Sequence, residues 1–158
     1  MTDKLNINVE RALPEDAGTI AQFNQAMALE TEDKPLDREM IFPGVQALLA
    51  DDSMGFYLVA RETTPADETI VGCLAITYEW SDWRNGLFWW IQSVYVPEEH
   101  RGKGVFSTMY EHVRTLAKKD PRNCGIRLYV EKDNSRAQRT YAKLGMIETE
   151  YRLMEEEF

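Results

Sequence analysis

The chain has 158 residues, of which 44% are hydrophobic and 28% charged, and this composition suits one soluble globular domain with its own core. Its net charge of −9 argues against a nucleic-acid partner. No apolar run approaches the roughly 20 residues that span a bilayer, and the N-terminus lacks the apolar core of a signal peptide. The two cysteines, Cys73 and Cys124, lie in apolar runs, so we expect reduced thiols and a cytoplasmic protein.

Charge is unevenly distributed along the sequence. Residues 100–143 hold 11 Lys and Arg against 4 Asp and Glu, a net of +7, and the rest of the chain has a net of −16. An anionic ligand therefore suits the basic segment and a cationic one the remainder, although helix surfaces also carry charge without binding a ligand. His100 and His112 show no ligand spacing with the cysteines, so we expect no metal.

The first part of the chain predicts a strand and two helices. Residues 5–9 alternate apolar with polar side chains, as in a half-buried strand. Pro14 opens a helix with acids in its first turn, and Asp37 caps a second helix over about 38–51. The acidic stretch between them, which includes Glu30 and Glu32, is predicted as a loop.

The rest of the chain alternates predicted strands and helices. Residues 56–60 and 70–78 predict a hairpin, with Gly72 marking a bulge or a close backbone approach. After the Asn85-Gly86 turn signal, the run 87–96 predicts the longest strand. A helix after Gly104, a strand at 126–130, a helix over 134–145 and a last strand at 151–154 follow. The order β-α-α-β-β-β-α-β-α-β predicts one α/β (α+β) domain over residues 1–158, with a mixed, largely antiparallel sheet.

The stretch from residue 91 to 109 joins a strand to a helix through a turn that contains two glycines. Helix N-termini have unpaired N–H groups and a positive dipole end, and glycine lets a ligand approach the backbone closely. Arg101 and Lys103 add positive charge at the same place. The stretch has neither Gly-Lys-Ser/Thr nor G-x-G-x-x-G, the usual nucleotide patterns. A solvated turn is the alternative reading of these four residues alone.

Arg101-Gly102-Lys103-Gly104 resembles the pyrophosphate loop, R/Q-x-x-G-x-G/A, of the GNAT family of acyl-CoA N-acyltransferases. The last position departs from that pattern, because Phe106 stands where the family has Gly or Ala. Residues 134–146 resemble the family's second motif, N-x-x-A-x-x-x-Y-x-K-x-G-F, with Met146 for the final Phe. The two motifs stand in the family's order and spacing, and the resemblance extends from about residue 9 to about residue 155.

The resemblance implies that acetyl-CoA lies between two splayed central strands. Its pantetheine arm would pair with the backbone of Val94, Tyr95 and Val96. Its pyrophosphate would rest on the start of the helix, on Arg101, Gly102, Lys103, Gly104, Val105, Phe106 and Ser107. The family also uses Asn134 near the cofactor, and this residue has a competing role as a helix cap.

Tyr141 is the predicted catalytic residue. A CoA thiolate leaves when an amine attacks the thioester, and a phenol close to the sulfur can protonate it. In similar enzymes the tyrosine at this position of the motif is that acid. The alternative is a tyrosine that only packs beside Ala137 and Leu144 on one helix face.

The predicted acceptor side is acidic and aromatic. Carboxylates beside aromatic rings hold a cation, so we expect a small primary amine as acceptor, held by Glu30, Glu79, Trp80, Trp83 and Gln92. Some family members have a glutamate as general base on the long strand, and this strand has none. A water relay, Glu30 or Glu79 could take the proton, or no dedicated base is needed.

The predicted function is therefore an acetyl-CoA-dependent N-acetyltransferase acting on a small amine by direct attack. Two alternatives remain open: a non-catalytic acyl-CoA-binding regulatory module, and an acetyltransferase acting on a protein N-terminus or lysine. We expect neither a nucleic-acid nor a membrane partner. The oligomeric state is open, with a homodimer among the alternatives.

Overall fold

The computed structural model describes residues 5–158, and its centre is a five-stranded sheet. The strands lie in chain order across the sheet: β1 (Ile7–Arg11), β2 (Gly55–Thr63), β3 (Glu68–Ser81), β4 (Gly86–Tyr95) and β5 (Asn123–Leu128). The first three pairings are antiparallel and only β4–β5 is parallel. The prediction of a mixed, largely antiparallel sheet flanked by helices is confirmed.

Residues 5–158 form four α-helices: α1 (Ala17–Glu32), α2 (Arg38–Ala50), α3 (Val105–Lys119) and α4 (Ser135–Lys143). The side chain of Asp37 accepts a hydrogen bond from the Glu39 N–H and caps α2, as predicted. The chain divides into two compact units, one ending at Leu128 and the other spanning Tyr129–Phe158. None of the helices in residues 5–158 is long and apolar enough to cross a membrane.

Helices cover the sheet in the first unit. The core includes Ile20 and Ala21 of α1 and Val45 of α2. These side chains pack on those of Tyr57, Val59, Cys73 and Ala75. Gly72 precedes Cys73 on β3. A Cβ added at Gly72 would lie 2.9 Å from Val105 Cγ1 and 3.1 Å from Met109 Cε. Gly72 thus lets α3 approach the backbone, which confirms its predicted role. Burying a side chain of the size of Ile20 or Val45 contributes about 1.5–3 kcal/mol.

A buried ion-pair network joins the start of the chain to the sheet. Arg61 on β2 contacts Glu10 on β1 and donates to Asp16 at 2.7 Å. Asp16 precedes α1, is 5% exposed, and also accepts from the Leu13 N–H at 2.8 Å. The guanidinium therefore fixes the position of the first helix relative to β1 and β2, because Arg61 lies on β2 and its two partners lie on β1 and immediately before α1.

The predicted last strand at 151–154 is absent. The described residues of the unit Tyr129–Phe158 include one helix and no strand, so the alternating side chains have no ladder partner within that unit. Tyr151 and Leu153, on which the prediction rested, are 77% and 68% exposed. The observed order is β-α-α-β-β-β-α-β-α.

The other strands are shifted from their predicted bounds, β5 for example to Asn123–Leu128 from 126–130, and two further differences concern predicted site residues. Helix α1 continues to Glu32 and ends at Asp33, which has a left-handed φ of 49°, so Glu30 lies in the last turn of the helix and not in a loop. Strand β3 continues to Ser81, so Glu79 and Trp80 are strand residues, and β3, with 14 residues, is longer than β4 with 10. Pairing of Glu79, Trp80 and Ser81 with the first residues of β4 across the hairpin turn holds this extension.

Candidate active site

The glycine turn before α3 has the backbone geometry of an anion cradle. Gly102 and Gly104 have φ values of 74° and 82°, in the left-handed region that side chains disfavour. Gly104 is the N-cap of α3, where no side chain caps the first turn. A Cβ added at either glycine would meet no atom within 4 Å, so the space beside the backbone is open. These features fit a phosphate group approaching the helix start.

Strand β4 is irregular immediately before this turn. On the β3 side, Cys73 pairs with Tyr95 and Ala75 pairs with Gln92, so β4 carries one extra residue, and Ser93 has a φ of 52°. On the β5 side, pairing ends at Ile91 and Leu128. The bulge therefore lies next to Val94, Tyr95 and Val96, the predicted pantetheine-binding backbone. No glycine or proline marks it in the sequence.

Glu30 joins the last turn of α1 to the cofactor-side residues. One carboxylate oxygen accepts from the Tyr95 hydroxyl at 2.9 Å, and the other accepts from Arg101 Nη2 at 2.6 Å. Arg101 also donates through Nε to the Val96 carbonyl at 2.8 Å. Arg101 is therefore held against the end of β4, and Glu30 contacts two predicted cofactor-side residues.

These contacts change the acidity of the groups involved. Hydrogen bonds from Arg101 and then Tyr95 lower the pKa of Glu30, so its carboxylate stays charged to lower pH than usual. Burial, followed by the hydrogen bond to Glu30, raises the pKa of Tyr95. The cluster at neutral pH is an ionised carboxylate, a guanidinium and a protonated phenol.

A second polar cluster lies on the sheet face formed by β3, β4 and β5. Glu79 accepts from Arg127 at 2.5 Å, and the Arg127 guanidinium lies 3.6 Å from the centroid of the Phe88 ring. Nearby, Gln92 donates to the Thr77 hydroxyl at 2.6 Å. Sequence reasoning identified Glu79 and Gln92 and missed Thr77, Phe88 and Arg127. The sequence signal that could have indicated this cluster is Arg127, a charged residue within the apolar strand run 123–130.

The structure does not bring the predicted tryptophans together with Glu79. Trp80 follows Glu79 in a regular strand, so the two side chains point to opposite faces of the sheet. Trp83 lies in the turn Asp82–Arg84 and is 85% exposed. Trp89 is buried and contacts the Phe56 ring edge-on, as expected for a core residue.

The second unit carries the other motif. Asn134 accepts from the Ala137 N–H at 3.1 Å and caps α4. The helix ends where Gly145, with a φ of 93°, and Met146 donate to the carbonyls of Ala142 and Tyr141. Burial raises the pKa of Tyr141, so its phenol holds its proton at neutral pH. The motif therefore forms a capped helix with Tyr141 in its last turn.

The two cysteines lie in different environments, and both are free thiols. Cys73 is buried beneath α1, and burial raises the pKa of its thiol to about 12. Cys124 is half-buried on β5 and both thiols are free. Within residues 5–158, no cluster of three or more His, Cys, Asp or Glu side chains could hold a metal ion.

A family model for the acetyltransferase (GNAT) family matches residues 20–146. A possible acetyltransferase from Clostridium difficile 630 has 44% sequence identity and a TM-score of 0.88, over 96% of this chain and 97% of that one. A search of curated proteins found no match.

Two more distant structures share the fold. A predicted acetyltransferase from Clostridium acetobutylicum, solved with acetyl-CoA, has 19% identity and a TM-score of 0.77, over 95% of this chain and 96% of that one. A ribosomal-protein-alanine N-acetyltransferase from Brucella melitensis biovar Abortus 2308 has 16% identity and a TM-score of 0.71, over 96% and 99%. The family match spans both motifs, and the chain belongs to the acetyltransferase (GNAT) family as an acetyl-CoA-dependent acetyltransferase.

Proposed function

We propose that this enzyme transfers the acetyl group of acetyl-CoA to a primary amine of a small molecule by direct attack. The observation that carries the proposal is the juxtaposition of the β4 bulge with the open glycine turn at the start of α3. The Clostridium acetobutylicum relative was solved with acetyl-CoA, and this supports the same donor here.

The donor-side roles follow from the backbone. Gly102, Lys103 and Gly104 present the turn, and the N–H groups of the first helical turn (Val105, Phe106 and Ser107) carry the positive end of the helix dipole. The backbone of Val94, Tyr95 and Val96 would pair with the pantetheine arm. Acetyl-CoA supplies an activated thioester. Arg101, tethered to Val96, adds a positive charge beside the phosphates.

The chemistry requires two proton movements. The amine nitrogen forms a bond to the acetyl carbon, the carbon–sulfur bond breaks, and the departing sulfur takes a proton. We assign that proton to Tyr141, whose raised pKa keeps its phenol protonated at neutral pH, so that it can donate a hydrogen bond and a proton to the departing sulfur. Asn134 supports this assignment indirectly, because it caps the helix that carries Tyr141.

The acceptor side is assigned to the sheet face of β3 and β4. Glu79 and Gln92 point to one face of neighbouring strands, since Glu79 is paired with Phe88 and Gln92 with Ala75. A water relay is the assigned acceptor of the amine proton, and Glu79 is assigned to hold the cationic part of the acceptor. Glu30, Trp80 and Trp83 remain predicted acceptor-side residues, and Glu30 also forms an ion pair with Arg101.

CoA release from acetyl-CoA, measured against amines, amino acids and peptides, tests the proposal. We expect turnover with small amines, and Tyr141→Phe should lower kcat by ~10²-fold while leaving acetyl-CoA affinity unchanged. Turnover only with peptides would favour a protein acetyltransferase. Binding of acetyl-CoA without turnover of any acceptor would favour the regulatory module. If Tyr141→Phe has the same kcat as the wild type, Tyr141 only packs and does not supply the proton.

A further inference from the structure

The polar cluster on the sheet face has the chemistry of an amino-acid head-group site. We propose that the acceptor is a free diamino acid such as lysine or ornithine, whose α-carboxylate and α-ammonium are bound by Arg127 and Glu79 while its side-chain amine is acetylated. This inference rests on the proposed acetyl transfer to a small amine and names the class of that amine.

The strand register places the cluster on one face. Glu79 is opposite Phe88 in the antiparallel pair β3–β4, and Trp90 is opposite Arg127 in the parallel pair β4–β5. Directly opposed residues project to the same side of a sheet. The same face carries Ala75, which packs with residues of α1 and α2. The cluster therefore lies on the face of the sheet that α1 and α2 cover. Its charged side chains remain accessible, with Arg127 27% and Glu79 42% exposed.

Arg127 is held in place by an aromatic surface. Its guanidinium lies 3.6 Å from the Phe88 ring centroid, a distance at which a cation is attracted to the ring. The ring itself lies over Gly125, where an added Cβ would be 2.7 Å from Phe88 Cε1. A guanidinium has five N–H donors in a planar fork, and the Glu79 contact uses one of its nitrogens. The remaining donors suit a ligand carboxylate.

The charges favour a zwitterion over a simple cation. Glu79 is already neutralised by Arg127, so a lone ammonium would gain little net attraction there. A ligand with adjacent positive and negative groups can pair with both side chains at once, its carboxylate with Arg127 and its ammonium with Glu79. An α-amino acid has this arrangement.

The position of the cluster decides which amine reacts. Phe88 and Gln92 are four residues apart on β4, a rise of roughly 13 Å at about 3.3 Å per residue. The bulge at Ser93 lies beyond Gln92. A head group at Arg127 therefore keeps the α-amine far from the bulge, and only an amine at the end of a long side chain would reach it. That nitrogen would bond to the acetyl carbon, CoA sulfur would leave, and one proton would pass from nitrogen to sulfur overall.

The test compares matched acceptors in the intact enzyme. We expect kcat/KM for lysine to exceed that for its decarboxylated analogue, cadaverine, by about tenfold or more, the scale of a hydrogen bond between charged groups. Arg127→Gln should reduce this preference at least tenfold. Glu79→Gln should lower kcat/KM for both compounds, because the unbalanced Arg127 charge would then repel the second ammonium that each compound carries. Arg122→Gln, which removes the same charge from the exposed turn before β5, should leave the preference unchanged.

Direct binding separates this inference from the proposed function. Calorimetric titration of lysine into the protein saturated with CoA should show binding that weakens in Arg127→Gln, and Arg127→Lys should fall between, since a lysine lacks the planar fork. Turnover of simple amines with no preference for lysine would overturn the head-group site and leave acetyl transfer standing. Absence of acetyl transfer to any amine would overturn both. An equal loss for lysine and cadaverine in Arg127→Gln would make the Glu79–Arg127 pair structural.

Discussion

Glu30 of α1 and Arg101 of the glycine turn before α3 form a 2.6 Å ion pair across 71 positions of sequence. Replacing Glu30 with Gln removes a negative charge beside the expected pyrophosphate. We expect Kd for CoA to fall about two- to fivefold at low salt, as for an exposed ion pair, and the gain to shrink as salt is added. Calorimetric titration measures it.

Glu32→Gln is the matched control, because it removes the same charge two positions further along α1. Its effect on Kd should be smaller, since the carboxylate of Glu30 alone is bonded to Arg101. Identical shifts in both variants would mean that the ion pair does not compete with the ligand.

The same pair should make stability depend on pH. The pKa of Glu30 is lowered in the folded protein from an ordinary value of 4.5, so its contribution is fully present above that value and is lost as pH falls through the folded pKa. The difference in free energy of unfolding between wild type and Glu30→Gln should therefore be constant from pH 7 to 5 and close at lower pH. Urea unfolding at each pH checks this. A difference that does not begin to narrow as pH falls below 4.5 would contradict it.

Gly104→Val should abolish the rise in melting temperature produced by acetyl-CoA. At φ 82° a β-branched side chain is strained, and its methyl groups would occupy the open space beside the backbone. Gly18→Ala is the control, because Gly18 also has no atom within 4 Å of an added Cβ but lies inside α1 with no positive φ. If Gly104→Val folds and acetyl-CoA raises its melting temperature as much as that of the wild type, the glycine turn does not bind the phosphates.

Asp16→Ala should destabilise the fold by about 2–3 kcal/mol. It leaves the largely buried Arg61 guanidinium and the Leu13 N–H without their 2.7 Å and 2.8 Å acceptor. The exposed pair Arg11–Asp52, at 3.0 Å, supplies the comparison, and Asp52→Ala should change stability by about 1 kcal/mol or less. Urea denaturation measures both, and equal losses would show that burial of the pair does not matter.

The sequence predicted several helix ends correctly, because they depend on residues that are close together in the chain. Asp37 and Asn134 cap their helices because a short polar side chain can reach an N–H two or three residues on. Gly104 and Gly145 occupy left-handed positions at helix ends, where glycine is favoured. These features need no knowledge of the rest of the chain.

Features that depend on distant partners escaped sequence reasoning. The extra residue of β4 near Ser93 exists only relative to β3. The partner of Glu79 is 48 positions away at Arg127, so a carboxylate that is isolated in the sequence is paired in the fold. The alternation at Tyr151 and Leu153 has the period of a strand, and a strand also requires a neighbour to pair with.

The single parallel pairing, β4 with β5, has a consequence for the order of assembly during folding. Strands β2, β3 and β4 are joined by short turns and can zip together as successive hairpins, whereas β5 must wait for the α3 crossover to close a longer loop. We therefore expect β5 to dock late, and Arg127 with it. Mutations that slow this docking would leave a chain with a formed antiparallel sheet that still lacks the guanidinium beside Glu79.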